Sequence, residues 1–157
     1  MGIEIERKFL LKNDSWRAHV QSKSRIIQAY ISVNPAATVR VRVTAAGAFL
    51  TLKGKRHNYS AAEFEYKIPA QDAAAMLELM SPYPPIDKWR YRVSYAGNSW
   101  EIDEFNGANA GLLIAEIELD TATAEFACPP WLGMEVSDDP RYFNACLVQQ
   151  PYSTWGK

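Results

Sequence analysis

Hydrophobic and polar residues alternate with a period of two along most of the chain, and this alternation is the strongest pattern in the sequence. A period of two is typical of β-strands whose two faces meet different surroundings. Turn-forming residues such as Pro35, Gly47 and Gly97 separate the alternating stretches. The pattern predicts about eight antiparallel strands. They are expected at residues 3–11, 24–33, 38–46, 48–55, 62–68, 87–96, 99–106 and 112–120.

Helices are predicted in only three places. Capping residues Asn13 and Asp14 precede a short amphipathic stretch, and residues 71–80 follow a proline with apolar side chains at helical spacing. A last helix is predicted from Pro140 to about Gln149, since proline is favoured in the first turn of a helix. We expect these helices to pack against the outside of the strands.

Length and composition favour a single domain spanning residues 1–157, because 48% of the residues are hydrophobic and 22% are charged, as in ordinary globular proteins. The 17 basic and 18 acidic residues give a net charge of -1, which argues against a duplex nucleic acid as partner. No apolar run is long enough to cross a bilayer, so no membrane partner is expected. The two cysteines show no metal-ligand spacing, and the acidic start does not resemble a signal peptide, so the sequence predicts a cytoplasmic location.

Charged residues that share a strand face repeatedly carry the same sign. Residues two apart in a strand point to the same side. The pairs of like charge are Glu4/Glu6, Arg40/Arg42, Glu63/Glu65, Lys88/Arg90 and Glu116/Glu118. A solvated outer face would explain any single strand, but repeated like pairs repel each other unless a counter-charge is supplied. Divalent cations and phosphates are suitable counter-charges for the acids and the bases.

A closed eight-stranded barrel with its charged face inward would gather all these pairs around one small ligand. The apolar faces would then point outward. Outward aromatic residues such as Phe64, Tyr91 and Trp100 would need to be covered by the helices and the C-terminal segment.

Several motifs identify the chain as similar to a known superfamily. The segment Glu4-Ile5-Glu6-Arg7-Lys8-Phe9 resembles the N-terminal Glu-x-Glu-x-Lys signature of the CYTH or triphosphate tunnel metalloenzyme superfamily. The later motifs occur in the family's order: Val39-Arg40-Val41-Arg42, Leu50-Thr51-Leu52-Lys53-Gly54, Glu63-Phe64-Glu65, Asp87-Lys88-Trp89-Arg90-Tyr91, Glu101-Ile102-Asp103-Glu104-Phe105 and Ala115-Glu116-Ile117-Glu118-Leu119. The ending around Trp131-Leu132-Gly133 resembles that of the short bacterial inorganic triphosphatases.

The resemblance implies an eight-stranded tunnel that hydrolyses inorganic tripolyphosphate or a related small triphosphate with Mg²⁺ or Mn²⁺. It implies metal binding by Glu4, Glu6, Glu116 and Glu118, with help from Glu63, Glu65 and Asp103. It implies phosphate binding by Lys8, Arg40, Arg42, Lys53, Lys88 and Arg90. The catalytic set is then Glu4, Glu6, Lys8, Glu63 and Glu65, with Glu63 or Glu65 accepting the proton of the attacking water.

One position departs from the family pattern. Family members often carry an arginine two residues before the Glu63/Glu65 pair, where this chain has Ala61. The preceding loop, residues 55–59, contains lysine and arginine and could supply the missing cation. The departure affects the expected substrate preference more than the expected chemistry.

Alternative functions remain open at this point. A nucleoside or thiamine triphosphatase would use the same phosphate-binding cations, and a non-catalytic polyphosphate-binding protein is a further alternative. An adenylate cyclase is disfavoured, because the His-Phe pair that such enzymes often carry before the signature is missing.

Five other residues are predicted to have no catalytic role. His19 and His57 are expected in loops or on the surface, and Cys146 is expected to be a small core residue. Tyr152 and Trp155 either pack on the surface or contribute to a homodimer.

Overall fold

Eight antiparallel strands close into a barrel in the computed structural model, which describes residues 2–156. The strands are β1 (Gly2–Leu11), β2 (Val20–Ser32), β3 (Ala37–Thr44), β4 (Gly47–Gly54), β5 (Ser60–Ile68), β6 (Ile86–Tyr95), β7 (Asn98–Phe105) and β8 (Leu113–Glu118). Their order around the barrel is β5-β4-β3-β2-β6-β7-β8-β1, and the pairing of β1 with β5 closes it. The predicted barrel is therefore confirmed, although β2 begins at Val20 rather than at residue 24.

A ninth strand, β9 (Leu132–Glu135), was not predicted from the sequence. It pairs with the end of β1, where Leu132 lies opposite Leu11. The two consecutive prolines Pro129 and Pro130 predict a turn over residues 128–133, and that prediction is wrong for the last two residues, which begin β9. A strand of four residues is too short to show an alternation of its own.

Gly133 allows β9 to approach β1 closely. A Cβ atom at this position would lie 2.8 Å from the carbonyl oxygen of Leu10, which belongs to the backbone and cannot rotate away. We therefore expect Gly133→Ala to lower the free energy of unfolding by about 1–3 kcal/mol, as overpacking does elsewhere. Urea unfolding would measure this, with Gly156→Ala as control because a Cβ there meets nothing within 4 Å. Equal stability of the two variants would contradict the prediction.

The helices only partly match the prediction. Helix α1 (Ala70–Leu79) agrees with the predicted residues 71–80, and its buried Ala73 packs against Val41 of β3. The single C-terminal helix predicted from Pro140 to Gln149 is wrong. The chain forms a 3-10 turn at Pro140–Tyr142 and a short helix α2 (Asn144–Leu147), because Phe143 between them is extended (φ −73°, ψ 135°). Within residues 2–156 no helix combines the length and apolarity that crossing a bilayer requires.

A cluster of aromatic residues covers part of the barrel's outer face. Trp16, from the 3-10 helix at Ser15–His19, is fully buried together with Trp100 and Trp131. The rings of Trp100 and Trp131 meet edge to face with centroids 5.4 Å apart. These contacts confirm that Trp100 is covered, and they give the buried Trp131 a structural role. The same expectation is wrong for Phe64, whose side chain on β5 is 45% exposed.

Candidate active site

The inward face of the barrel lines a cavity of about 530 Å³. Alternation along each strand directs every second residue inward, and the pairing of β1 with β8 sets Lys8 opposite Glu116 and Glu6 opposite Glu118. The cavity brings together nearly all the predicted site residues: Glu4, Glu6, Lys8, Arg40, Arg42, Lys53, Glu63, Glu65, Lys88, Arg90, Glu116 and Glu118. Asp103 is the exception, because it lies behind Lys88 and Arg90 and does not reach the cavity surface.

One end of the barrel is filled by apolar side chains. On β6, β7 and β8 the inward residues next to the charged ones are Ile86, Phe105 and Ile114, and all three are buried. They pack against the C-terminal residues 136–148, which we call the closing segment. The closing segment also contributes Phe143 and Asn144 to the cavity wall. The charged cavity is therefore bounded at this end by the closing segment.

Acids and bases are interleaved around the cavity wall. The Nζ atom of Lys8 lies 3.3 Å from a carboxylate oxygen of Glu116, and Lys53 contacts both Glu4 and Glu6. Burial by itself would raise the pKa of Glu6, but Lys8 and Lys53 outweigh it and hold that pKa below its usual value of 4.5. Glu6 is therefore ionised at neutral pH.

Asp103 anchors two of the predicted phosphate-binding cations. Its side chain is 1% exposed, and its oxygens accept hydrogen bonds from Lys88 Nζ at 2.7 Å and from Arg90 Nε at 2.8 Å. Although burial opposes ionisation, Arg90 and Lys88 hold the pKa of Asp103 well below its usual range. Lys88 must share this one carboxylate with Arg90. Burial therefore lowers the pKa of Lys88 to about 7, aided by the nearby charges of Arg90 and Arg42.

The acids of β1, β7 and β8 form an electronegative wall. Glu101 of β7 lies directly opposite Glu116 of the adjacent strand β8. Burial raises the pKa of Glu118, and the neighbouring carboxylates of Glu4 and Glu6 raise it further. Like charges in such register repel each other, and carboxylate oxygens are the ligands that hard divalent cations prefer. The donor set on this wall therefore fits a divalent cation.

The side chains are not arranged as a finished metal site. Within residues 2–156, no three acidic, histidine or cysteine side chains converge with the geometry of a metal site. The acids are turned instead toward lysine and arginine, as in the contact of Arg90 with Glu116 at 3.2 Å. The predicted metal-binding roles of these residues stay predictions.

Arg56 and Lys55, from the loop that follows β4, both line the cavity, and Arg56 is the less exposed of the two. Its Nη2 atom donates to the backbone carbonyl of Glu6 at 2.9 Å, and its guanidinium lies 5.7 Å from the ring centre of Phe143. Ala61, by contrast, is buried with a side chain too short to reach a ligand. Arg56 is thus placed where the sequence suggested that loop 55–59 could supply a cation.

The residues expected to be uninvolved fall into two groups. His19 and His57 are exposed and lie outside the cavity lining, as predicted. Cys146, expected in the core, lines the cavity instead, and burial raises the pKa of its thiol. A raised pKa disfavours the thiolate, so Cys146 is poorly suited to act as a nucleophile.

Two polar residues of the cavity region escaped the sequence prediction. Gln28 of β2 is fully buried, and its side-chain amide contacts Arg42 and Asn144. Both Gln28 and Asn144 are neutral amides and add nothing to the pattern of charges along the sequence. The one available signal was a polar Gln28 between Ile26 and Tyr30 on the same face of a strand.

Comparison with known proteins agrees with the fold and the cavity. The CYTH domain family model matches residues 2–143. An inorganic triphosphatase from Acetivibrio thermocellus is 43% identical over 155 residues, which is 99% of both chains. An inorganic triphosphatase from Nitrosomonas europaea is 31% identical over 92% of this chain and 96% of its own length. The solved structure of the inorganic triphosphatase NE1496 superposes with a TM-score of 0.65 at 30% identity, covering 92% of this chain and 97% of that one. On these matches, the chain belongs to the CYTH domain family.

Proposed function

We propose that this protein hydrolyses the terminal phosphoanhydride of inorganic tripolyphosphate, or of a related small triphosphate, with the help of a divalent cation. The observation that carries the proposal is that lysines, arginines and a wall of carboxylates from facing strands line one cavity of about 530 Å³. The two inorganic triphosphatases to which the chain is similar along nearly its whole length support it.

The cations of the cavity suit a chain of phosphates. Guanidinium groups such as those of Arg40 and Arg42 offer several donors in one plane and bind phosphate oxygens in pairs. Lys8, Lys53 and Lys88 add compact positive charges from three further strands. We assign to these five residues, together with Arg90, the binding and alignment of the substrate.

The acids of β1 and β8 would hold the divalent cation. Glu4, Glu6, Glu116 and Glu118 supply the oxygen ligands, and Mg²⁺ and Mn²⁺ are the ions that such ligands suit. When bound, the ion supplies charge neutralisation of the phosphate oxygens and lowers the pKa of a coordinated water. Asp103 was also predicted to bind metal, and that stays a prediction. The role that we assign to it is to orient Lys88 and Arg90.

Glu63 is the better placed of the two predicted proton acceptors. Burial raises its pKa, and the adjacent Glu4 raises it further, so its carboxylate is a stronger base than an exposed one. Glu65 is already engaged, because it accepts a hydrogen bond from Thr51 Oγ1 at 2.9 Å and lies 3.4 Å from Arg40. We therefore assign proton acceptance to Glu63. Apart from this proton transfer, phosphoryl transfer needs mainly alignment of the reacting groups and neutralisation of the phosphate charge.

The proposal is tested by phosphate release from tripolyphosphate with Mg²⁺ or Mn²⁺. We expect release that depends on the cation and stops when a chelator is added in excess. Pyrophosphate, ATP and thiamine triphosphate, assayed in parallel, distinguish an inorganic from a nucleoside or thiamine triphosphatase. Hydrolysis that persists in chelator would overturn the metal requirement. Tight binding without turnover would favour a polyphosphate-binding protein instead.

A further inference from the structure

Lys88, which is 1% exposed, is linked to the half-buried Arg42 of the cavity by two neutral amides. Asn144 Oδ1 accepts hydrogen bonds from Lys88 Nζ at 2.9 Å and from Gln28 Nε2 at 3.1 Å. Gln28 Oε1 in turn accepts from Arg42 Nε at 2.7 Å. These contacts form one continuous relay, Arg42 to Gln28 to Asn144 to Lys88. Three strands and the closing segment contribute to it.

The orientation of both amides follows from the cations. Arginine and lysine can only donate, so the oxygen of Gln28 must face Arg42 and its amino group must face Asn144. The oxygen of Asn144 then has to face two donors, those of Gln28 and Lys88. Each group in the relay is fixed by the next. Buried networks that are satisfied in this way hold their members rigidly.

A neutral amide holds a cation without cancelling its charge. Lys8 and Lys53 are paired with carboxylates, which compete with a phosphate for the same positive charge. Arg42 forms no ion pair with any acid in the part of the chain that the structure describes, and its anchor is the amide of Gln28. Its positive charge is therefore available to an anion in the cavity, and burial strengthens the attraction.

We propose that Asn144 is a positioning residue, which acts through Gln28 to hold Lys88 and Arg42 in the geometry that binds the phosphate chain. The inference rests on the proposed triphosphatase activity. Asn144 belongs to the closing segment, at the start of α2, so the same side chain also ties that segment to the charged cavity. Asn144 thus completes the cavity wall beside Lys88, although it comes after all the barrel strands in the sequence.

The test compares Asn144→Ala and Asn144→Asp with the wild-type protein. Asn144→Ala removes the shared acceptor, and we expect kcat/KM for tripolyphosphate to fall by about 10- to 100-fold, as for other small misplacements of binding groups. Asn144→Asp retains both acceptor contacts but places a second carboxylate beside Lys88, in addition to that of Asp103. We expect it to raise KM at least about 10-fold, the order expected when a phosphate-binding charge is cancelled, with a smaller change in kcat.

A double variant separates positioning from a general structural role. If Gln28 and Asn144 act as one relay, then Gln28→Ala combined with Asn144→Ala loses little more than the worse single variant. Gln149→Ala is the matched control, because Gln149 directly follows the closing segment and donates a hydrogen bond to Tyr83 outside the cavity. We expect its kcat/KM to equal that of the wild type.

The outcomes are distinguishable from failure of the proposed function. A wild-type protein that hydrolyses no triphosphate contradicts the function itself. Wild-type activity together with an unchanged KM in Asn144→Asp, or additive losses in the double variant, overturns the positioning role of Asn144. A loss in Gln149→Ala equal to that in Asn144→Ala does so as well. Because Asn144→Asp is nearly isosteric, it serves as the test if Asn144→Ala fails to fold.

Discussion

Replacing Glu116 by glutamine is expected to slow tripolyphosphate hydrolysis by at least about 100-fold, the magnitude found when one preorganised electrostatic group is removed. Glu116 lies at the centre of the carboxylate wall, with Lys8 Nζ at 3.3 Å and Arg90 Nη2 at 3.2 Å. Glutamine keeps the shape of the side chain but removes its negative charge. The variant therefore weakens binding of the divalent metal ion, and it leaves Lys8 and Arg90 without the carboxylate that they contact.

The rate should be measured as a function of Mg²⁺ or Mn²⁺ concentration. We expect Glu116→Gln to need more of the cation for half-maximal activity, which a merely misfolded fraction would not require. Glu78→Gln, an exposed position on α1, provides the control for loss of one carboxylate and should behave as the wild type. A rate for Glu116→Gln within tenfold of the wild type, at every cation concentration, would remove Glu116 from the proposed metal site.

The largest effect on stability is expected from Asp103→Asn. Breaking a buried ion pair by removing one partner costs about 3–5 kcal/mol, because the remaining charge stays buried without compensation. Here two cations, Lys88 and Arg90, would lose their shared carboxylate. Asp87→Asn is a matched control, since Asp87 also pairs with an arginine, but at the surface. Because surface ion pairs contribute about 0–1 kcal/mol, Asp87→Asn is expected to lower the free energy of unfolding by no more than that.

The same carboxylate predicts a dependence of stability on pH. The pKa of Asp103 in the folded protein lies well below its usual value of 3.8. Asp103 therefore contributes fully to the free energy of unfolding above pH 3.8, the ordinary pKa of an aspartate. Below that pH the contribution is lost, because the unfolded chain binds a proton that the folded protein excludes. Urea unfolding between neutral pH and pH 2 would measure this. We expect a shallower acid decline for Asp103→Asn than for the wild type, and equal slopes would contradict the assignment.

Much of the fold could be predicted because the alternation reports on both faces of every strand. Like-charge pairs such as Arg40/Arg42 and Glu116/Glu118 marked the inward face, and the structure places all four side chains in the cavity. The expectation that apolar residues would point outward also held for Trp100. The pattern is visible in the sequence because every second side chain of a strand lies on the same face and meets the same surroundings.

The parts that could not be predicted depend on contacts between distant segments. Nothing local in residues 132–135 distinguishes a strand from a turn, because β9 exists only where Gly133 meets the backbone of Leu10. The break at Phe143 is likewise set by packing of the closing segment into the barrel end. Asn144 carries no charge signal, and its role depends on a hydrogen bond to Lys88, which lies 56 positions earlier in the chain.

The central position of β1 has a consequence for the order of events at the ribosome. This first strand pairs with β5, with β8 and with β9, so its partners are complete only when residues as late as Glu135 have been synthesised. At typical translation speeds of about 5–20 residues per second, roughly 6–25 seconds separate the synthesis of Leu11 from that of Glu135. A nascent chain that stops before Leu113 lacks the strand opposite Glu6 and cannot close its cylinder. Assembly of the candidate active site therefore belongs to the last stage of biosynthesis. Until then the unpaired edge of the first strand is where we expect chaperone protection to matter most.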